Sequence, residues 1–421
     1  MQDVDSAQSL ARMNDALHAF VSLGSMQEPA PSGLLQGWTI ALKDNFDMAG
    51  EQVGVGAPMF ADRRATSSAP AAQRLLDGGA RIAGRAQMVE LAFGGWGINP
   101  ALGTPRNPWD AQTVRVAGGS SSGCAVAVAA RMATAALGSD TAGSIRMPAA
   151  LCGITGLKTT HGLIALDGVF PLAPSYDSVG PMAQTADDCA RLFEVLTRKR
   201  LPPMQAPEGW RISRLASADY PIALKAEMQR ALDDAAAVFE GLGAVLHDTV
   251  TPFALADLTR DAGTLIASEA WAIHRMRFET DPSAFGEEIR RRLDQARSAD
   301  PAHVAAANRA RRKATDSFEK WIPADEVLLL PTVHCSAPPL NSIDERSVPL
   351  GQFTRWVNHV GGCAISLPAG FDRLGLPLAI QLVGRGAAEG RLLALGAAFQ
   401  RATQWHLRTP PLALAQPQCA V

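Results

Sequence analysis

Residues 118–123 read Gly-Gly-Ser-Ser-Ser-Gly, and residues 138–148 read Gly-Ser-Asp-Thr-Ala-Gly-Ser-Ile-Arg-Met-Pro. The apolar stretch between them, residues 124–137, reads as an Ala/Val-rich helix. Glycine-serine loops at helix ends expose backbone N–H groups, which can hold an anion or a developing oxyanion. They also supply hydroxyls. A serine hydroxyl is a poor nucleophile near neutral pH and needs a base beside it. Lysine can be that base once burial or neighbouring donors disfavour its charged form. Two lysines sit at the ends of apolar, strand-like runs: Lys43, after Thr39-Ile40-Ala41-Leu42, and Lys158, in Gly156-Leu157-Lys158-Thr159. Local context leaves both open. Gly119-Ser120-Ser121-Ser122-Gly123 also matches G-x-S-x-G with Ser121 at its centre, but that chemistry needs a later Asp or Glu and a His, which spacing alone does not pair.

Other chemistries find less support. The eight histidines are dispersed, with only His161 near the glycine-serine region, and it reads as a turn residue. No H-E-x-x-H or paired-cysteine pattern suggests a metal. No phosphate-cradling G-x-x-x-x-G-K-[ST] occurs, and Gly94-Gly95-Trp96-Gly97 is not a dinucleotide fingerprint. With 47% hydrophobic and 19% charged residues and a net charge of −2, the composition is globular, and nothing in it points to nucleic acid or an anionic membrane. No secretory leader and no membrane-length apolar run is visible. The six cysteines (Cys124, Cys152, Cys189, Cys335, Cys363 and Cys419) read as buried thiols of a cytoplasmic protein.

The elements that must position these groups fall into three textures. Residues 1–200 are rich in Gly, Ala and Ser, with short apolar runs broken by glycines, as in buried strands alternating with helices. Residues 201–325, after Leu201, Pro202 and Pro203, carry charged stretches with helical periodicity at 223–242 and 287–321, and are expected to form a peripheral helical layer. From Val327 the first texture returns. Residues 327–330 and 364–367 read as buried strands ending at Pro331 and Pro368, and residues 390–403 as a closing helix. Both ends are therefore expected to build one sheet.

Five segments, in order, carry a family resemblance. Leu35-Gln36-Gly37-Trp38-Thr39-Ile40-Ala41-Leu42-Lys43-Asp44-Asn45 is similar to the catalytic-lysine strand of the amidase signature family. Residues 118–123 resemble its serine-rich loop, and Asp140-Thr141-Ala142-Gly143-Ser144-Ile145-Arg146-Met147-Pro148 resembles its nucleophile segment. Tyr176-Asp177-Ser178-Val179-Gly180-Pro181-Met182 also matches, as do Ser366-Leu367-Pro368-Ala369-Gly370, Gly375-Leu376-Pro377 and Gln381-Leu382-Val383-Gly384-Arg385. The resemblance spans nearly the whole chain. It implies an α/β fold, with one large domain over residues 1–421, a central mixed sheet covered by helices on both faces, and residues 201–325 shaping a substrate pocket.

The same resemblance implies that Ser144 is the nucleophile, Ser120 a bridging serine held by a cis peptide bond, and Lys43 the base. The backbone amides of Thr141, Ala142, Gly143 and Ser144 would form the oxyanion hole. Ala92, Phe93, Gly94, Gly95 and Arg146 would contact substrate, although Arg146 also suits a structural role. Ala142 stands where many members have glycine, and its methyl could narrow the turn. The expected activity is hydrolysis of a small-molecule amide through a Ser144 acyl-enzyme, without cofactor or metal. The alternatives are a glutaminase like the A subunit of glutamyl-tRNA(Gln) amidotransferase, working with a partner protein, and a hydrolase of ureides of the allophanate or carboxybiuret type. The first 35 residues could support a homodimer contact.

Overall fold

A strand buried on both faces needs no polar side chains, so its sequence is a short apolar run rather than an alternating one. Such runs dominate the two ends of this chain. The computed structural model describes residues 2–202 and 207–413, so Pro203 and Cys419 lie outside the described residues. The N-terminal portion supplies α1 (Gln2–Leu17), β1 (Phe20–Leu23), β2 (Thr39–Lys43), α2 (Pro70–Asp77), β3 (Arg81–Ala86), α3 (Ser122–Ala129), β4 (Ala135–Asp140), α4 (Arg146–Cys152), β5 (Thr155–Lys158), β6 (Ser178–Ala183) and α5 (Ala186–Thr197). The middle adds β7 (Arg211–Leu215), α6 (Ala226–Gly241), β8 (Val245–Thr249), α7 (Leu255–Thr280), α8 (Glu287–Arg297) and α9 (Pro301–Trp321). The C-terminal portion adds β9 (Glu326–Pro331), α10 (Arg355–His359), β10 (Cys363–Phe371), β11 (Pro377–Gly384) and α11 (Glu389–Thr403).

The eleven strands of the described residues join one mixed sheet in the order β1-β3-β2-β4-β6-β5-β10-β11-β9-β7-β8. β2 lies parallel between β3 and β4, with Lys43 opposite Ala86 and Leu42 opposite Leu137. The two ends of the chain meet where β5 pairs antiparallel with β10. Helices cover both faces. Ile40 and Leu42 of β2, Ile365 and Leu367 of β10, and Ile380 and Leu382 of β11 pack in one core with α2, α5, α6 and α11. Ala41 and Ala136 face the other way, toward α3 and α4. Successive strand side chains alternate between faces, so Lys43 projects to the α3/α4 side with Ala41.

Three expectations change. The helix read over residues 124–137 ends at Ala129, Arg131 turns the chain at φ +62°, and Ala135-Ala136-Leu137 begin central strand β4. An apolar run carries no period that separates a buried helix from a doubly covered strand. The 201–325 region is not purely helical, because β7 and β8 extend the sheet. Their sequences, RISRL and VLHDT, mix polar with apolar residues, as suits strands at the sheet's margin where β8 is largely exposed. Finally, β10 continues through Pro368 to Phe371, with the register shifting between Pro368 and Gly370.

Between α8 and α9, Asp300 accepts the amide of Ala302 at 2.9 Å and Pro301 opens α9, which splits the 287–321 stretch into two helices. Helices α7, α8 and α9 pack against residues 88–92 and 172–176 through Leu265, Ile266, Leu293 and Ala307. Among the described residues, no helix is long and apolar enough to cross a membrane.

Candidate active site

Lys43 ends β2 fully buried, where its Nζ lies 2.8 Å from Ser120 Oγ, 2.8 Å from Ser139 Oγ and 3.3 Å from the Ser139 carbonyl. Burial pulls its ammonium down to about 8, even with the carboxylates of Asp140 and Asp177 nearby. A neutral amine has two N–H groups and one lone pair. Ser139 can take both N–H groups through its hydroxyl and carbonyl oxygens, leaving the lone pair for the Ser120 hydroxyl. Asn45 holds Ser139 Oγ from the other side at 3.1 Å.

Ser120 follows a cis Gly119–Ser120 peptide in the tight loop before α3. A side chain at Gly119 would press within 2.8 Å of the Gly97 backbone nitrogen, so that close approach requires glycine. The Ser121 amide donates to the Ser144 carbonyl at 3.1 Å, tying the two glycine-serine loops together.

Ser144 lies just before α4, on a turn shaped by Asp140. The Asp140 carboxylate accepts the Gly143 amide at 2.7 Å, the Ile145 amide at 3.2 Å and two donors of Arg146 at 3.1 Å. Burial alone would raise this carboxyl, but Arg146, Lys158 and Asn358 together hold it well below the ordinary range. Gly143 sits at φ +117°, and any side chain there would collide with Thr354. Thr354 Oγ1 in turn donates to the Ala142 carbonyl at 2.8 Å. Thr141 Oγ1 donates to Asp177 at 2.5 Å, while burial pushes the Asp177 carboxyl up to about 6. Because its amide is taken by Asp140, Gly143 is not available as an oxyanion donor. The amides of Thr141, Ala142 and Ser144 donate to no other group among the described residues. Ala142 keeps φ outside the left-handed region, so its methyl fits the turn.

Thr141, Ala142 and Ser144 form the floor of a cavity of about 670 Å³, with Ala92, Phe93, Gly94 and Gly95 on one wall and residues of α7, α8 and α9 on others. Lys43 and Ser120 lie behind this floor, fully buried. Arg146 is a correction. It does not line the cavity, it is fully buried, and its guanidinium is spent on Asp140, Gln381 Oε1 at 3.1 Å, the Thr354 carbonyl at 3.0 Å and Asn358 Oδ1 at 2.6 Å. It braces the turn and cannot reach substrate.

The competing candidates separate as clearly. Lys158 is buried and also pulled down to about 8, but its Nζ donates to the carbonyls of Thr159 and Gly362, both at 2.8 Å, and meets no hydroxyl. Ser121 is fully buried with Oγ 3.3 Å from the Ser139 carbonyl, outside the cavity. His161 is exposed, with Nε2 2.9 Å from the Pro174 carbonyl. Cys124, Cys152, Cys189, Cys335 and Cys363 are free and buried. Among the described residues, no three His, Cys, Asp or Glu side chains gather as a metal site requires.

Sequence reasoning assigns no role to Ser139, Asn45, Asp177, Thr354 or Asn358. By alternation Ser139 falls on the face of Leu137 rather than that of Lys43, and Asn45 lies past the end of β2, so strand pattern marks neither. Thr354 and Asn358 lie more than 200 residues from the turn they hold, and no local pattern marks them.

Comparison with known proteins bears on family and fold. A family model described as Amidase matches residues 3–393. The glutamyl-tRNA(Gln) amidotransferase A subunit of Thiobacillus denitrificans is 32% identical over 95% of this chain and 93% of its own length. The crystal structure of the protein of the same name from Thermotoga maritima superposes with a TM-score of 0.83 at 28% identity, covering 94% of this chain and 90% of that one. A structure described as revealing the evolutionary origins of an s-triazine catabolic enzyme gives a TM-score of 0.85 at 27% identity, covering 95% and 94%.

Proposed function

The chain belongs to the Amidase family, and on that premise we propose that it cleaves a small-molecule amide through an acyl-enzyme on Ser144. The observation that carries this reading is the buried contact between Lys43 Nζ and Ser120 Oγ at 2.8 Å, with the lysine pulled down to about 8. Neutral Lys43 draws the proton of Ser120 as Ser120 takes the proton of Ser144, and Ser144 Oγ attacks the amide carbon. The oxyanion rests on the amides of Thr141, Ala142 and Ser144, each such donor being worth about 3 kcal/mol of barrier. The proton then returns from Lys43 through Ser120 to the departing nitrogen, and the C–N bond breaks. Water repeats the relay and releases the acid. Each proton moved passes among Ser144, Ser120, Lys43, the departing nitrogen and the attacking water.

The test is ammonia release from a panel of linear amides, ureides and glutamine, with wild type set beside Ser144→Ala and Lys43→Ala. A loss of about 10⁴-fold or more in both variants is expected. Wild-type turnover in Ser144→Ala refutes the assignment. A second reading, favoured by the likeness to the amidotransferase A subunit, is a glutaminase that delivers ammonia to a partner protein. It requires glutamine turnover that rises when a B subunit is co-purified.

A further inference from the structure

The cavity in front of Ser144 carries four arginines: Arg291, Arg292, Arg346 and Arg355. Three of them have carboxylate partners. Arg291 pairs with Glu288 at 2.5 Å, Arg292 with Glu288 at 2.8 Å and Glu345 at 3.1 Å, and Arg346 with Glu287 at 3.1 Å. For Arg355, no carboxylate among the described residues reaches ion-pair distance. Its Nη1 makes one long contact, 3.4 Å to the Thr259 carbonyl, and its Nε is buried without a partner. Gly263 of α7 lies beside it, and a side chain there would come within 3.2 Å of Nη1. The fold thus clears room around this guanidinium and leaves it unneutralised. Burial, and then the neighbouring Arg292, lower its affinity for a proton to about 10, which is the signature of a cation lacking a counter-charge.

The position of Arg355 bears on the reaction. The residue before it, Thr354, grips the Ala142 carbonyl with its hydroxyl and receives Arg146 on its own carbonyl. Arg355 is therefore fixed to the same turn that presents Ser144 and the oxyanion amides. A group held by Arg355 is held in register with the nucleophile.

We propose that Arg355 is the specificity-determining cation of this enzyme, receiving a carboxylate on the substrate, so that the amides it cleaves are small amido acids. A single free guanidinium matches a single negative charge and a planar two-oxygen acceptor. Asp300 and Glu345, which line the same cavity, disfavour a second negative charge such as that of a phosphate dianion. The inference deepens the amidase reading of Ser144 and rests on it for the reaction, but not for the binding.

Two experiments separate these. Binding of propionate, butyrate and valerate, each with one negative charge, to the wild-type protein by titration calorimetry needs no turnover. At least one should bind, and Arg355→Ala should weaken it by about 30-fold, the loss expected for a charge-assisted pair. Arg355→Lys should recover part of the loss, and circular dichroism on both variants checks that they fold. If none of the three binds wild type, or if Arg355→Ala binds as well as wild type, the proposal is overturned.

In turnover, malonamate, succinamate and glutaramate are compared with propionamide, butyramide and valeramide. Wild type should favour one of the acids, and the ratio of its kcat/KM to that of the uncharged counterpart should fall by about 30-fold in Arg355→Ala, chiefly through KM. An unchanged ratio overturns the proposal. If Ser144→Ala keeps its turnover while Arg355→Ala loses carboxylate binding, the catalytic reading fails and the anion site stands.

Discussion

Replacing Lys43 with methionine should make the protein more stable and inactive together. The wild-type ammonium is lowered from its ordinary 10.5 to about 8 by burial, a difference of about 3 kcal/mol against holding the charge in the fold. Methionine fills nearly the same volume without that charge. It gives up the contacts with Ser120 and Ser139, each worth about 1 kcal/mol, and Ser139 keeps Asn45 as a donor. The net gain at pH 7 is about 1–2 kcal/mol. For a chain of 421 residues this is a rise of about 1–2 °C in Tm.

The pH dependence identifies the cause. Between about 8 and 10.5 the unfolded chain binds the lysine proton and the folded protein does not, so wild-type stability climbs with pH across that window. The methionine variant lacks Lys43's share of this climb and keeps that of Lys158, which is lowered in both proteins. Its advantage should be full below pH 8 and gone by about pH 10.5. Thermal unfolding of both proteins from pH 7 to pH 10 is the assay, with kcat measured alongside. A Lys43→Met protein less stable than wild type at pH 7, or a difference that does not change with pH, would refute the desolvation argument.

Four further outcomes follow from the same geometry. The kcat/KM profile of wild type should rise through an apparent pKa near 8, because only the neutral Lys43 amine can accept a proton and acid removes it. Gly143→Ala should lose activity by about 100-fold or more, since φ +117° and the Thr354 side chain leave no place for a methyl in the oxyanion turn; wild-type kinetics in that variant would contradict the turn described. Arg146→Met should destabilise by about 3–5 kcal/mol in denaturant titration by leaving Asp140 buried and charged, whereas a role in substrate binding predicts a raised KM and normal stability. Ser121→Ala should retain kcat within about 3-fold, as expected for a serine that never reaches the cavity.

Much of this site is legible in the sequence because its parts are local. The run 39–43 announces a buried strand ending in lysine, and two glycine-serine loops announce tight turns with free amides. What stays hidden is decided by partners far away in sequence. Lys43 and Lys158 look alike as residues and share the same lowered proton affinity. Only the neighbouring strand separates them, β4 offering Ser139 to one and β10 leading from the Gly362 carbonyl held by the other. Arg146 resembles a ligand-binding residue because it stands two positions from Ser144, but Gln381 and Asn358 claim it. Residues 135–137 read as helix because a strand covered on both faces carries no polar beat. Strands β7 and β8 escape a reading by pattern because their mixed sequences, at the sheet's margin, lie among strongly periodic helices.

The clasp of Thr354 and Asn358 on the turn carrying Ser144 also orders events in time. Residues 43, 120 and 144 all leave the ribosome within the first third or so of synthesis. The amide-bearing turn they serve is closed by Asn358, 218 residues after Asp140. A nascent or truncated chain ending before residue 354 owns every reacting group and lacks the brace that aims them. Hydrolytic competence is thus withheld until nearly the whole polypeptide has been made and folded back on its beginning, and in refolding it should emerge with the last long-range contacts rather than with the first secondary structure.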